Sequence, residues 1–164
     1  MKKKGFTLIE LIVVIAIIGV LAAILVPAML GYVRKSKITT ANTSAKDIYN
    51  AFNTTLVDLD SRDAILPATG SYSDSNTPTA TDASGSSTID VMALVETYFS
   101  DINSTSISAW SIWIQDGACT AAAVTSGSYG GSYPKQMTTD DWTGGSYKGS
   151  VASILAYALQ GTTT

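Results

Sequence analysis

The sequence predicts an α+β protein in which a long N-terminal helix packs on a small antiparallel sheet. Three observations support this fold class. The first is an apolar run that fills most of residues 6–30, and the second is a series of apolar residues spaced three and four apart between Ile38 and Leu59. The third is Asp116-Gly117 between two short apolar segments, which is a strong signal for a two-residue β-hairpin.

The apolar run predicts a membrane span. Every residue from Leu11 to Leu25 is apolar or glycine, and the segment continues to about Leu30. About 20 helical residues cross a bilayer core of about 30 Å, so the run is long enough. Lys2–Lys4 precede it, and this positive charge predicts a cytoplasmic N-terminus with the rest of the chain outside the cell.

One acid, Glu10, lies inside the apolar run. A carboxylate near the centre of a membrane helix costs roughly 2.5–3.5 kcal/mol, so we expect Glu10 to have a function and an oppositely charged partner. The simpler alternative is a signal peptide or a plain signal anchor, with Val26-Pro27-Ala28 as a cleavage site. Glu10, and the position of Gly5 directly before the hydrophobic Phe6, argue against that alternative.

The segment Gly5-Phe6-Thr7-Leu8-Ile9-Glu10 resembles the prepilin signature of type IV pilins and pseudopilins, and the resemblance covers roughly the first 35 to 40 residues. It implies that a membrane prepilin peptidase cuts between Gly5 and Phe6 and methylates the new amine of Phe6. It also implies that Glu10 neutralises the terminal amine of a neighbouring subunit during assembly. A carboxylate and an ammonium in lipid each need an oppositely charged partner, which agrees with that role.

Gly19 and Pro27 also match positions of that family. A proline inside a helix removes a backbone hydrogen bond, and membrane helices tolerate the resulting kink. In filaments of the family the segment between such residues is often partly unwound, which makes residues 19–27 a candidate for extension. A simple kinked helix fits the sequence equally well.

Beyond the span, the apolar residues predict an amphipathic helix with one buried face. We call these residues the apolar stripe: Ile38, Ala41, Ala45, Ile48, Phe52, Leu56 and Leu59. Neither proline nor glycine interrupts residues 32–60, so span and stripe are expected to form one helix to about Asp58. The expected domains are a leader (residues 1–5), a transmembrane and polymerisation helix (6–33), and a globular head (34–164) that includes an amphipathic helix over 34–59.

The first part of the head contains few residues that predict regular secondary structure. Residues 60–71 are expected to turn the chain, and residues 71–88 consist almost entirely of small polar side chains, which predicts a mobile surface loop. Residues 89–99 predict a short helix that is capped near Thr88 or Asp90 and turns Met92, Val95 and Phe99 towards the core.

The later part of the head contains the predicted hairpin. Residues 106–115 and 118–125 are the expected strands, with Trp110, Ile112 and Ile114 on one face and Trp113 on the other. The first face is expected to cover the long helix, and the second to be partly exposed. Residues 150–160 fit either a helix that ends at Gly161 or a buried strand, and the helix is slightly favoured.

Composition excludes several functions. The sequence has no histidine, which excludes His-based triads and His metal sites, and its single cysteine, Cys119, cannot form an internal disulfide. Removing the three leader lysines would leave 7 basic against 13 acidic residues, a net charge of −6. So acidic a chain is not expected to bind nucleic acid through basic patches. We predict no cofactor, no metal site and no enzymatic activity.

Three further features have a functional and a simpler interpretation. Asp140-Asp141 with Asp116 are candidate Ca²⁺ ligands, but Ca²⁺ takes six to eight oxygens, and solvated loop acids are the favoured interpretation. Acceptor sequences for asparagine-linked glycans begin at Asn42, Asn53 and Asn103, and plain surface residues are favoured there too. Cys119 is expected to be a small buried hydrophobic residue.

Aromatic residues of the head offer an adhesive alternative. Trp113, Trp142, Tyr129 and Tyr133 would stack on sugar rings if they formed an exposed platform, whereas Trp110 is favoured as core. The alternative for the tryptophans is that they fill the core of a small head.

The main hypothesis for the function is therefore structural. It is a pilin subunit of a type IV pilus-like surface filament, anchored in the membrane before assembly and then carried on the cell surface. Its expected partners are the prepilin peptidase, the membrane and other pilin subunits. The alternatives are a pilin-like adhesin that binds a polysaccharide surface, and a pseudopilin of a type II secretion or DNA-uptake machine.

Overall fold

The computed structural model describes residues 6–145, 147 and 150–162. The chain divides into two compact units, Met1–Ser36 (the N-terminal unit) and Lys37–Thr164 (the C-terminal unit). Helix α1, Leu8–Asp60, contributes residues to both. The prediction that span and stripe form one helix to about Asp58 is confirmed, and the protein has the predicted α+β fold.

In the N-terminal unit, α1 presents apolar side chains to its surroundings all the way round. Each large hydrophobic residue from Phe6 to Leu30 keeps about half of its surface or more exposed. In the described part of the chain, α1 is the one helix that is long and apolar enough to cross a membrane. A helix that is apolar on all sides needs lipid or other protein around it.

In the C-terminal unit, α1 buries the whole apolar stripe. All seven stripe residues are at most 3% exposed, as predicted from their spacing. Phe52 lies at the centre, with its ring centroid 5.4 Å from that of Trp110 on the facing sheet. Burying a side chain of this size contributes roughly 1.5–3 kcal/mol, so the stripe holds helix and sheet together.

The remaining elements of the C-terminal unit are short. The strands are β1 Gly70–Ser73, β2 Thr79–Thr81, β3 Thr88–Asp90, β4 Ala109–Gln115, β5 Ala118–Ser126 and β6 Tyr129–Tyr133. The helices are α2 Val91–Tyr98, a 3₁₀ helix Ser100–Asn103, α3 Thr139–Thr143 and α4 Val151–Leu159. Strands β1, β4, β5 and β6 form an antiparallel sheet in the order β1-β4-β5-β6, and β2 pairs with β3 separately.

The predicted hairpin joins β4 and β5. Gln115 pairs with Ala118, so Asp116 and Gly117 form a two-residue turn, and both have positive φ, 50° and 79°. A type I′ turn requires this geometry, which Asp-Gly adopts readily. The first strand begins at Ala109 rather than at residue 106, because residues 104–108 form a turn after the 3₁₀ helix.

The prediction of a mobile loop over residues 71–88 is wrong in part. The segment contains the end of β1, all of β2 and the start of β3, and its tip is organised by Asp82. One Asp82 carboxylate oxygen accepts hydrogen bonds from Ser84 Oγ and the backbone N–H of Ser86 and Ser87. Small polar residues can form strands here because backbone pairing does not require large side chains.

The second sheet face is covered only in part, as expected. Helix α4 covers it at β5, where Ile154 and Ala158 are fully buried against Ala121 and Ala123, while Trp113 of β4 is only partly buried. The favoured helix for residues 150–160 is thus confirmed, and Ser150 caps its N-terminus. Alanines on β5 leave room for layers on both faces, so the sheet is the middle of three layers.

Strand β6 lies very close to α1. A Cβ atom at Gly131 would overlap the backbone of Ala41 and Asn42, and one at Gly130 would lie 2.5 Å from Ile154 Cδ1. Only glycine therefore permits the observed distance between this strand and the helix.

We predict that Gly131→Ala destabilises the C-terminal unit by about 2 kcal/mol or more, because backbone cannot move aside as a flexible side chain can. Denaturant unfolding of the full chain in detergent measures this. Gly70→Ala is the matched control, since a Cβ at this strand glycine meets nothing within 4 Å. Equal midpoints for the two variants would contradict the close-packing argument.

Candidate functional site

The site predicted from the sequence lies at the start of α1. Lys2–Lys4 and Gly5 are outside the described residues, so the first described residue of the predicted cleavage pair is Phe6. Phe6 precedes the helix and is 79% exposed. The side chain on the C-terminal side of the predicted cleavage bond is therefore accessible.

Thr7 and Glu10 form a capping box at the start of α1. Glu10 Oε2 accepts hydrogen bonds from the Thr7 backbone N–H at 2.8 Å and from Thr7 Oγ1 at 2.6 Å, and the Glu10 N–H donates to Thr7 Oγ1 at 3.4 Å. These bonds use donors that would otherwise be unpaired at the helix N-terminus. The pattern Thr-x-x-Glu predicts such a box, and the sequence analysis overlooked it.

Apart from this contact, the surroundings of Glu10 are apolar. Phe6, Ile9, Val13 and Val14 line a shallow groove beside it. No lysine or arginine occurs between residues 6 and 33, so residues 7–33 contain no side chain that could neutralise Glu10. The positive partner that a carboxylate in an apolar medium needs must therefore come from elsewhere.

Gly19 and Pro27 lie within continuous helix. Helix α1 includes Pro27 as an internal residue, and a Cβ at Gly19 would meet nothing within 4 Å. The alternative of an intact helix thus describes this chain. Extension of residues 19–27 within a filament stays a prediction.

Comparison with known proteins matches the same segment. Residues 1–26 match the family model of the prokaryotic N-terminal methylation motif. Residues 1–26 therefore carry this motif, which agrees with the resemblance noted for residues 5–10. The Type IV major fimbrial protein FimA of Dichelobacter nodosus is 39% identical over 87 residues, which cover 48% of this chain and 54% of FimA.

Other pilins match over shorter stretches. The Type IV major pilin protein PilA of Myxococcus xanthus is 48% identical over 50 residues, or 30% of this chain and 23% of PilA. The Type IV major alpha-pilin of Moraxella bovis is 65% identical over 37 residues, or 23% of each chain. The matched part of this chain thus spans about half the length, or less, of these relatives. No solved structure gives a significant match.

The structure does not bring the four predicted adhesive aromatics together on one surface. Trp142 is buried, with 7% of its surface exposed, so of its two alternatives the core position applies and the exposed platform does not. Trp113 and Tyr129 are half-buried against the same cluster under α4. Tyr133 belongs to the other cluster and packs on Tyr49, with ring centroids 4.8 Å apart. Trp142 lies on α3, a helix that the sequence analysis did not predict, and belongs to the same cluster as the buried residues of α4.

Core residues behave as the sequence predicts. Trp110 is 2% exposed and Cys119 is 1% exposed. Burial raises the pKa of the Cys119 thiol to about 12, so it stays protonated at neutral pH. Its Sγ–H donates weakly to the backbone oxygen of Ala121.

Two asparagines of α1 bind the sheet, a role that the sequence analysis missed. Asn42 Oδ1 accepts hydrogen bonds from the N–H groups of Ser132 (2.9 Å) and Met137 (3.1 Å), and its Nδ2 donates to Met137 O (2.8 Å). Asn53 pairs with both backbone groups of Cys119, at 2.9 and 3.1 Å. Both lie on the border of the apolar stripe, which is the signal that could have identified them.

The acids considered as Ca²⁺ ligands have other roles. Asp116 lies in the β4–β5 turn, and Asp141 forms a second capping box with Thr138 at the start of α3. Among the described residues there is no group of three or more Asp, Glu or Cys side chains that could hold a metal ion. Asp141 also accepts a 2.8 Å hydrogen bond from the Tyr157 hydroxyl of α4.

We predict that part of the stability of the C-terminal unit depends on Asp141 ionisation. Hydrogen bonds from the Thr138 hydroxyl and then its N–H hold the pKa of Asp141 below its ordinary value of 3.8. Because the folded pKa is lowered, this stabilisation is complete above about pH 4 and is lost as pH falls through the folded pKa.

Asp141→Asn should therefore lower the free energy of unfolding by about 0.5–1 kcal/mol at pH 7, a typical effect of losing a cap. The difference from the unmodified chain should shrink at acidic pH. Denaturant unfolding between pH 7 and pH 2 measures it, with Asp140→Asn as the neighbouring control. A difference that does not depend on pH would contradict the role of the carboxylate.

Proposed function

We propose that this chain is the structural subunit of a type IV pilus-like filament that assembles through its N-terminal helix. The observation that supports this most is Glu10, the one charge among residues 6–33, held at the N-terminus of a helix that is apolar on all sides. The matched methylation motif and the pilin relatives agree with it.

Processing would create the partner that Glu10 lacks. Cleavage between Gly5 and Phe6 leaves a positively charged amine on Phe6, four residues before Glu10 in sequence. A neighbouring subunit that places its Phe6 amine at this Glu10 neutralises both charges away from water, where an unpaired charge is expensive. Because each Glu10 pairs with one Phe6 amine, the pairing fixes the axial position of one subunit relative to the next.

The capping box explains how Glu10 is held until that partner arrives. Its hydrogen bonds to Thr7 stabilise the carboxylate without neutralising it. Glu10 Oε1 takes part in none of these bonds, so an amine can approach it while the cap stays in place. The precursor is then a single-pass membrane protein whose C-terminal unit lies outside the cell.

The adhesive alternative has less support than the structural one. It depended on four exposed aromatics, and Trp142 is buried beside Tyr129, with ring centroids 6.4 Å apart. A pseudopilin would share the same N-terminal chemistry, and the pilus subunit is preferred because the relatives are named as pilins and fimbrial proteins.

Processing predicts a defined N-terminus. Mass spectrometry of the chain from cells that contain a prepilin peptidase should find Phe6 as the first residue, with one methyl group on its amine. Gly5→Leu should block cleavage, since a bulky side chain replaces the residue before the cut bond. An intact Met1, or a first residue near Met29, in the unchanged chain would contradict this processing.

Assembly should depend on the charge of Glu10. Glu10→Gln keeps the size and a hydrogen-bond acceptor but cannot neutralise an ammonium, so we expect membrane insertion to continue and filaments to be lost. Electron microscopy and the sheared surface fraction measure filaments, and membrane fractionation measures insertion. Asp74→Asn, a change to an exposed head acid, is the control and should assemble normally. Normal filaments from Glu10→Gln would refute the pairing.

A further inference from the structure

The three asparagines that begin glycan-acceptor sequences, Asn-x-Ser/Thr, lie in different environments. Asn42 is buried, with 6% of its surface exposed, and Asn53 is partly buried. Both use Nδ2, the atom that would carry a sugar, to bind a backbone oxygen of another element. A glycan at either position would break these bonds and push α1 away from the sheet.

Asn103 is different because it is exposed at the end of the 3₁₀ helix Ser100–Asn103. Its Nδ2 contacts Glu96 Oε1 at 2.5 Å, and that carboxylate is itself on the surface. Thr105, which supplies the hydroxyl required two positions later, is exposed too. A sugar on Nδ2 would extend into solvent without displacing any core contact.

We propose that Asn103 is an acceptor site for an asparagine-linked glycan. The donor is an oligosaccharide linked to a lipid through pyrophosphate. Asn103 Nδ2 attacks the anomeric carbon, an N–C bond forms, and the C–O bond to the pyrophosphate breaks. The lipid pyrophosphate leaves with the electron pair, and the proton from Nδ2 passes to a base of the transferase.

The environment of the site also sets when transfer occurs. Ile102 is 1% exposed and belongs to the main core cluster, so it fixes the segment to the folded unit. An enzyme that binds residues 101–105 in extended form reaches them before Ile102 docks, or when this short segment opens locally. Glycan transfer thus accompanies export. This proposal rests on the proposed function in one respect only, namely that the C-terminal unit crosses the membrane.

The test is to express the full chain in a bacterium that exports it and contains a bacterial oligosaccharyltransferase with its lipid-linked oligosaccharide. Intact-mass and glycopeptide mass spectrometry should find one added glycan, on the peptide that contains Asn103. Asn103→Gln and Thr105→Ala should lose that mass completely, and Thr105→Ser should retain it.

Controls separate the site from folding and from export. Asn103→Gln should unfold at the same temperature as the unmodified chain, because the side chain is exposed, and Phe6 processing reports membrane insertion independently. Full export without a glycan, while a reference acceptor in the same cells is modified, would overturn the proposal. A glycan on Asn42, on Asn53 or on serine and threonine residues instead of Asn103 would overturn it as well.

Discussion

The contact between the apolar stripe of α1 and the sheet is the interaction on which the C-terminal unit depends. The stripe is fully buried, and Phe52, Leu56 and Leu59 meet Trp110, Ile112 and Ile114 of β4 in one cluster. The same helix also contains the residues that are apolar enough to cross a membrane, so one secondary structure element has two different kinds of surface. Its sequence changes accordingly, from apolar on all sides to apolar on one side.

Local patterns made much of this fold predictable. The stripe, the Asp116-Gly117 turn and the helix that begins after Asp90 each depend on residues close together in sequence. Pairing of β1 with β4 could not be predicted in the same way, because about 40 residues separate the partners and Tyr72 is the one large side chain of β1. Its register depends on the finished sheet rather than on its own side chains.

The same distinction applies to the functional residues. Phe6 and Glu10 belong to one short motif whose spacing is specific, and the capping box of Thr7 was available from that spacing too. The surroundings of Trp142 depend on α3 and α4, which come together only in the folded unit, so its exposure could not be judged from sequence. Asn42, Asn53 and Asn103 share one sequence pattern, and burial alone separates them.

Asn42 also affects whether the edge of the sheet can pair with a strand of another molecule. Strand β6 is at the edge of the sheet, and an edge strand with free N–H and C=O groups can pair with a strand of another molecule. The N–H of Ser132 is already bound to Asn42 Oδ1, and α1 lies against Gly131. A foreign strand would have to displace both. This edge is thereby protected against aggregation through strand pairing between molecules.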